Sequence, residues 1–207
     1  MRPHPLDRPV WSALRSRQSG LAPGNGRAAR FLPDVSPFAA AADDGPESLR
    51  ALADLVPAVG SIILLQSGES PLPPGTVATK SAMGVQMIAR RIAPGGSTDG
   101  IARLTEADAP EMLALASLTE PGPFLARTHR LGDFVGVKVD GRLVAMAGER
   151  LKPDGFTEVS GVCTHPDFRG RGHARIFVAC RRRADSGARR DAVPARLCHQ
   201  HGRHRAL

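Results

Sequence analysis

Apolar and polar positions along the first half of the chain repeat with short helical and strand periods. Leucines recur at helical spacing over residues 43–55, behind a proline suited to a first turn, which predicts an amphipathic helix. Short apolar runs predict strands at residues 61–66, 77–80 and 85–89. This order of elements predicts a small α/β lobe over residues 1–92.

A segment rich in glycine and proline, residues 93–98, precedes a second series of elements. Residues 101–104 predict a strand and residues 106–118 a helix, which Thr105 and Asp108 would begin as a capping box. Three strands are predicted after the helix, at residues 133–139, 143–149 and 156–164, and Asp140-Gly141 signals a hairpin between the first two. We expect a second α/β domain over residues 98–179.

The last of these strands runs into a loop rich in glycine and arginine, and the loop runs into the start of a predicted helix. The free N–H groups and the dipole at a helix start favour an anion. Gly170 and Gly172 let the backbone approach a ligand without an intervening side chain. Positive charge comes from Arg169, Arg171 and Arg175. The segment therefore predicts a pyrophosphate site.

The sequence Arg169-Gly170-Arg171-Gly172-His173-Ala174 resembles motif A of the GNAT superfamily of acyl-CoA-dependent N-acetyltransferases, Gln/Arg-x-x-Gly-x-Gly/Ala. The preceding strand and its His165-Pro166 turn are also similar to that family. The resemblance implies a mixed, mostly antiparallel sheet flanked by helices. It also implies acetyl transfer from acetyl-CoA, the cosubstrate, to a small-molecule or peptide amine. The alternative is an ordinary glycine-rich connection between a strand and a helix.

The resemblance further assigns roles to the residues around the motif. The N–H groups from Gly170 to Ala174 would hold the coenzyme A pyrophosphate, and the backbone from Val162 to Thr164 would pair with the pantetheine arm. The N–H of Val162 or Cys163 would polarise the thioester carbonyl. The cofactor-binding candidates are therefore Val162, Cys163, Thr164, Arg169, Gly170, Arg171, Gly172, His173, Ala174 and Arg175.

Glu158 is the candidate general base. Period-two spacing predicts Glu158, Ser160 and Val162 on one face of their strand, where a carboxylate could accept a proton directly or through water. A solvent-facing glutamate or a salt bridge is the alternative, and Glu149 is a second candidate base. Cys163 is interpreted as a small buried hydrophobic residue rather than a nucleophile.

The net charge of +8 belongs mainly to the C-terminal tail. Residues 181–207 hold eight arginines and two aspartates, a net of +6, and aromatic residues make up 4% of the chain. We therefore expect no specific nucleic-acid partner, with non-specific binding through the tail as the alternative. A cluster of possible metal ligands lies in this patternless tail, so we predict no metal site; its members are Cys198, His199, His201 and His204.

Localisation and size give few further constraints. There is no apolar run long enough to cross a bilayer, no secretory segment, and no cysteine spacing typical of disulfides. We expect a soluble, cytoplasmic protein that makes no membrane contact. The acceptor and the oligomeric state stay open.

The tail, residues 180–207, has neither a helical nor a strand period, although GNAT chains continue with a helix, a strand and a further helix. With suitable codons, residues 191–207 read one base later give a GNAT-like segment that contains a tyrosine. We therefore predict a frameshift after about residue 177, an irregular tail and loss of the last strands. The chain contains no tyrosine, the family's usual general acid, so we predict impaired activity; a nonenzymatic acyl-CoA-binding module is the alternative.

Overall fold

The computed structural model describes residues 4–24, 26–89, 99–173 and 196–202. The chain divides into two units, the first made of Met1–Val85, Leu151–Asp154 and His201–Leu207, and the second of Gln86–Arg150 and Gly155–Gln200. The domain limits expected at residues 92 and 98 lie outside the described residues, so they stay predictions.

The first unit contains a small three-stranded sheet. β1 (Ala28–Arg30) pairs antiparallel with β2 (Phe38–Ala41), and β2 pairs parallel with β3 (Ile63–Leu64). Parallel neighbours need a crossover, which α2 (Pro46–Ala53) provides. A shorter helix, α1 (Pro9–Leu14), precedes the sheet. A cluster of small side chains packs between α2 and the sheet: Ala28, Ala39, Ala41, Ala51 and Leu52.

Two strand predictions differ from the structure in this half of the chain. The strand expected over residues 61–66 is reduced to β3, and the strand expected over 77–80 does not form. Thr76 instead closes a turn by donating its hydroxyl to the carbonyl oxygen of Pro73 at 2.7 Å, and Val77 is 82% exposed. An apolar run with no adjacent strand cannot form inter-strand hydrogen bonds, so its residues do not form a strand despite their β propensity. The third run forms β4 (Gly84–Ala89).

The second unit is built on a mixed, mostly antiparallel sheet, as predicted. Its strand order is β4-β9-β8-β7-β6-β5. The central pairs from β5 to β8 are antiparallel, and β8 is parallel to β9. The bounds are Ile101–Leu104 for β5, Phe134–Val139 for β6, Arg142–Glu149 for β7, Phe156–Thr164 for β8 and Arg196–Gly202 for β9.

Local sequence signals explain two of the turns in this unit. Asp140 and Gly141 both have positive φ, at 50° and 78°, as a two-residue hairpin turn between β6 and β7 requires. The predicted capping box is present, with the Thr105 N–H donating to Asp108 Oδ2 at 2.7 Å. The helix predicted from residue 106 begins as a 3₁₀ turn, Glu106–Asp108, and continues as α3 (Ala109–Thr119).

The two faces of the sheet carry separate apolar clusters. The face covered by α3, called here the α3 face, holds Leu104, Met112, Leu115, Phe134, Met146 and Cys163. The opposite face holds Val135, Val137, Val144, Ala147 and Val159. Because side chains alternate across a strand, these clusters fix which side of the sheet each site residue occupies.

The prediction of a tail without strands is wrong for residues 196–202. This segment forms β9, whose Arg196, Leu197 and Cys198 pair with β8. The edge of a strand offers unpaired N–H and C=O groups to any extended segment, so pairing needs no alternation in the partner. The expected helix after the glycine loop and the predicted frameshift point lie outside the described residues.

Candidate active site

One edge of β8 is only partly covered by its parallel neighbour. The pairing with β9 includes Phe156, Thr157 and Glu158 and ends there. In the described part of the chain, residues 160–164 have no strand partner on that edge. This half of β8 can therefore pair with an extended ligand through its backbone.

A β-bulge lies in the same half of β8. Ser160 pairs with Gly148 and Cys163 with Met146, so Gly161 and Val162 together stand opposite one residue of β7. Gly161 has a φ of +62°, the left-handed conformation that a bulge of this kind favours. A bulge interrupts the ladder locally, which turns backbone groups away from their normal partners.

The bulge also corrects the predicted alternation along β8. Val159 packs in the cluster on the opposite face, whereas Cys163, four residues later, packs on the α3 face. Strict period two would place both on one face, and the extra residue shifts the pattern by one. The sequence predicted that Val162 shares a face with Glu158 and Ser160. The bulge instead places Val162 on the other face of the sheet.

Cys163 is a core residue in this arrangement. It is 8% exposed and packs on the α3 face with Phe134 and Met146. Burial raises the pKa of its thiol, with smaller opposing effects from hydrogen bonds to Thr119 and Met146. A protonated, enclosed thiol is a poor nucleophile, which agrees with its interpretation as a small hydrophobic residue.

The loop after β8 makes several contacts within itself. A 3₁₀ turn, Pro166–Phe168, follows the buried His165. Arg169 donates through Nε to the carbonyl oxygen of Thr164 at 3.4 Å, and Arg171 donates to that of Asp167 at 3.1 Å. The Arg171 guanidinium also lies 4.7 Å from the ring centre of Phe168. These contacts hold two positive charges at the start of the glycine loop.

The two glycines of the loop have the geometry that a ligand cradle needs. Gly170 and Gly172 have φ values of +74° and +75°, and open space lies where a Cβ would stand at either position. His173 has two covered ring nitrogens with no hydrogen-bond partner among the described residues. The loop therefore fits an anionic ligand that approaches the backbone. The remaining candidates, Ala174 and Arg175, lie outside the described residues.

Glu158 is buried in an ion pair. Its side chain is 4% exposed, and Arg150 donates to both carboxylate oxygens, from Nε at 3.0 Å and from Nη2. The backbone N–H of Arg150 also donates to the carbonyl oxygen of Glu158 at 3.0 Å. Of the alternatives that the sequence left open, the salt bridge is present, and a role of Glu158 as general base stays a prediction.

The structure does not bring the two candidate bases together. Glu149 pairs in register with Val159, whose side chain lies on the opposite face, whereas Glu158 lies on the α3 face. Glu149 is 2% exposed and accepts the backbone N–H of Asp133 at 3.1 Å. Its carboxylate thus fixes the start of β6 from the far side of the sheet.

A cleft opens beside the bulge on the α3 face. Its walls include the rings of Phe124 and Phe134, which meet edge to face with 5.8 Å between their centres. Ser160, Gly161 and Arg150 also line it. The cleft is shallow and open to solvent, with room for about one water molecule. It adjoins the part of β8 that can pair with an extended ligand.

Similarity to known proteins agrees with this geometry. Residues 100–183 match the model of the acetyltransferase (GNAT) family. A protein described as a GNAT-family acetyltransferase from Novosphingobium aromaticivorans is 42% identical in sequence, with 97% of this chain and 87% of that chain covered and a TM-score of 0.83. The chain belongs to the GNAT family. The Novosphingobium structure also covers the first unit of this chain, so the extra lobe is shared with that GNAT protein.

A more distant structure shares the fold. A GCN5-related N-acetyltransferase from Kribbella flavida is 17% identical, and the match covers 93% of this chain and 82% of that one with a TM-score of 0.52. No curated protein matches the chain.

Two further findings concern metal sites and membrane spans in the described residues. Those residues contain no group of three or more side chains placed to hold a metal ion, and the tail histidines have no described side chains. The described helices also include none with the length and apolar character needed to cross a membrane.

Sequence reasoning missed Arg150 and the two phenylalanines of the cleft. Arg150 lies eight residues before Glu158 across the β7–β8 connection. Opposite charges on neighbouring antiparallel strands indicate an ion pair once the register of the strands is known. Phe124 comes from an irregular segment with no period, so no pattern in the sequence indicated its position.

Proposed function

We propose that this GNAT-family protein transfers an acetyl group from acetyl-CoA to an amine acceptor. The observation that carries the proposal is the continuous path from the uncovered edge of β8, past the bulge, to the open glycine loop. An extended pantetheine arm pairs along the first part of this path, and a pyrophosphate lies at its end.

Each part of the path has its own role in this proposal. The N–H groups around Gly170 and Gly172 bind the pyrophosphate, and Arg169 and Arg171 add positive charge beside it. The backbone from Val162 to Thr164 aligns the pantetheine arm. A backbone N–H near the bulge donates to the thioester carbonyl oxygen and stabilises the negative charge that develops there during attack.

The reaction is a direct displacement at the thioester. The amine nitrogen attacks the carbonyl carbon, a C–N bond forms, the C–S bond breaks, and coenzyme A leaves as a thiol once its sulfur receives a proton. The attacking amine must lose one proton, and Glu158 is the carboxylate nearest in sequence to the bulge. Both of its oxygens bind Arg150, which favours an indirect role for this residue.

A nonenzymatic acyl-CoA-binding module is the second candidate function. The chain has no tyrosine, so it lacks the phenol that is the usual general acid in the GNAT family. Without a group to protonate the departing sulfur, the thiolate is a poorer leaving group and turnover slows. We therefore propose that the chain binds acetyl-CoA but acetylates slowly.

Two measurements on the purified chain test these proposals. Isothermal titration calorimetry with coenzyme A measures binding, and thiol release from acetyl-CoA over a panel of amines and amino acids measures transfer. We expect saturable binding with slow, acceptor-dependent thiol release. Binding without any acceptor-dependent release favours the binding module, and absence of binding contradicts both functions.

A further inference from the structure

Arg142 carries a positive charge that no carboxylate neutralises in the described part of the chain. It is the first residue of β7, and it is exposed. Its Nη2 donates to Nε2 of the His165 ring at 2.8 Å. A guanidinium can only donate, so this ring nitrogen accepts. The other N–H donors of Arg142 face no acceptor among the described residues, which leaves them for a ligand.

The contact with His165 places Arg142 beside the start of the glycine loop. Because β7 and β8 are antiparallel, the first residue of β7 and the last residues of β8 lie at one end of the sheet. His165 is buried there, and its backbone N–H donates to the carbonyl oxygen of Val144 at 2.8 Å. The guanidinium of Arg142 is therefore held at the end of the sheet where the pyrophosphate is proposed to bind.

A series of side-chain contacts joins Arg142 to the loop itself. The His165 ring meets the Phe168 ring edge to face, with 5.8 Å between their centres, and the guanidinium of Arg171 lies on Phe168. The exposed carboxylate of Asp167 lies 3.7 Å from the other ring nitrogen of His165. Arg142 and Arg171 thus stand at opposite ends of one aromatic pair, a spacing that suits two anionic groups of the same ligand.

We propose that Arg142 binds the 3′-phosphate of coenzyme A and makes the protein select coenzyme A over dephospho-coenzyme A. A ligand that follows β8 past Thr164 brings its nucleotide to this end of the sheet. One ribose joins the pyrophosphate of coenzyme A to the 3′-phosphate, so the two groups can occupy neighbouring cationic positions. The oxygens of a phosphate monoester match the fork of free donors on a guanidinium. This inference rests on the proposed function, since it concerns the same cosubstrate.

The first test compares two ligands that differ only in the 3′-phosphate. Coenzyme A and dephospho-coenzyme A are titrated calorimetrically into the unmodified protein at low ionic strength, where exposed charges are screened least. We expect coenzyme A to bind roughly tenfold tighter, as the loss of one charge-assisted hydrogen bond implies. Equal affinities, or tighter binding of dephospho-coenzyme A, would overturn the proposal.

The second test removes the guanidinium. In Arg142→Met the affinity for coenzyme A should fall to that for dephospho-coenzyme A, because the 3′-phosphate loses its partner. The affinity for dephospho-coenzyme A should stay the same, since this ligand has no group for Arg142 to bind. The matched control is Arg103→Met, which removes an exposed arginine of the same unit, paired with Asp133 at 2.6 Å, and should keep the preference. A preference that persists in Arg142→Met contradicts the assignment.

The remaining outcomes separate this inference from the proposed function. Failure of both cofactors to bind the unmodified protein counts against the proposed function. Binding of both with one affinity counts against the role of Arg142 alone. Equal weakening of both cofactors by Arg142→Met would show that Arg142 acts on the loop or the pyrophosphate, and it would also contradict the assignment to the 3′-phosphate.

Discussion

The ring of Phe134 lies against the α-carbon of Gly148, its partner in register on the neighbouring strand. A Cβ built on Gly148 would fall well inside contact distance of three ring carbons. Phe134 is itself 4% exposed and packs on Phe124, so the ring cannot move aside freely. The absence of a side chain at Gly148 therefore fixes a wall of the cleft.

We expect Gly148→Ala to lower the free energy of unfolding by about 1–3 kcal/mol, the usual cost of overpacking a core. Urea denaturation followed by circular dichroism measures it. Gly20→Ala is the control, because Gly20 has no atoms near its Cβ position and should change stability little. A Gly148→Ala protein as stable as the control would show that the ring moves without cost.

Gly172 and Gly141 form a matched pair for testing the ligand cradle. Their φ values are +75° and +78°, and neither has a neighbour at its Cβ position. Replacement by alanine imposes the same left-handed strain at both sites, about 1–2 kcal/mol. We expect only Gly172→Ala to weaken coenzyme A binding, by roughly tenfold in calorimetry. Equal affinities of the two variants would place the pyrophosphate elsewhere.

Asp108 makes the stability of the second unit depend on pH. Its pKa is lowered, first by the hydrogen bond from Lys138 and then by that from the Thr105 N–H. A carboxyl group with a lowered folded pKa contributes stability above the ordinary aspartate value of about 4, and the contribution is lost as pH falls through the folded value.

We therefore expect Asp108→Asn to be less stable than the unmodified protein by roughly 1 kcal/mol at pH 7. The difference should shrink as urea unfolding is repeated from pH 5 down to pH 3. Asp140→Asn, in the exposed hairpin turn where asparagine is equally suitable, is the control. A difference that stays constant over this range would contradict the ionic contribution.

Cys163 should resist alkylation in the folded protein. Burial raises the pKa of the thiol and encloses the sulfur, and the thiolate is the form that reacts. Iodoacetamide labelling at pH 7.5, counted at the Cys163 peptide by mass spectrometry, should be more than about tenfold slower without urea than with it. Labelling at equal rates would show an accessible thiol and reopen its interpretation as a nucleophile.

Much of the second unit could be predicted from the sequence because its signals are local. The Asp140-Gly141 turn, the Thr105 capping box and the strand before the glycine loop each depend on neighbouring residues. The strand predicted at 77–80 failed because its formation depends on a partner strand, which no local pattern reports. β9 was missed because its strand forms by backbone pairing with β8, and its own sequence has no alternation of apolar and polar residues.

The candidate site was predicted only where one backbone segment forms it. Gly170 and Gly172 were identified because a glycine lets the backbone approach a ligand without an intervening side chain. The bulge at Gly161 was missed, because an inserted residue shows only when two strands are compared in register. For that reason the sequence analysis placed Val162 on the same face as Glu158. The cleft joins residues far apart in the chain, so its walls required the tertiary fold.

The predicted frameshift gives the last test of how this chain relates to an active GNAT enzyme. We expect the nucleotide sequence across codons 174–184 to hold a one-base change that, when reversed, encodes a helix, a strand and the next helix of a GNAT domain. A phenol restored beside the departing sulfur should raise thiol release from acetyl-CoA by about 10²–10⁴-fold, the usual contribution of a general acid. The control is the frame-restored chain in which the tyrosine just after the Asn-containing helix is changed to phenylalanine, which keeps the restored fold and removes the proton donor. Equal turnover of the present and restored chains, or a locus without a family-like alternative frame, would contradict the hypothesis.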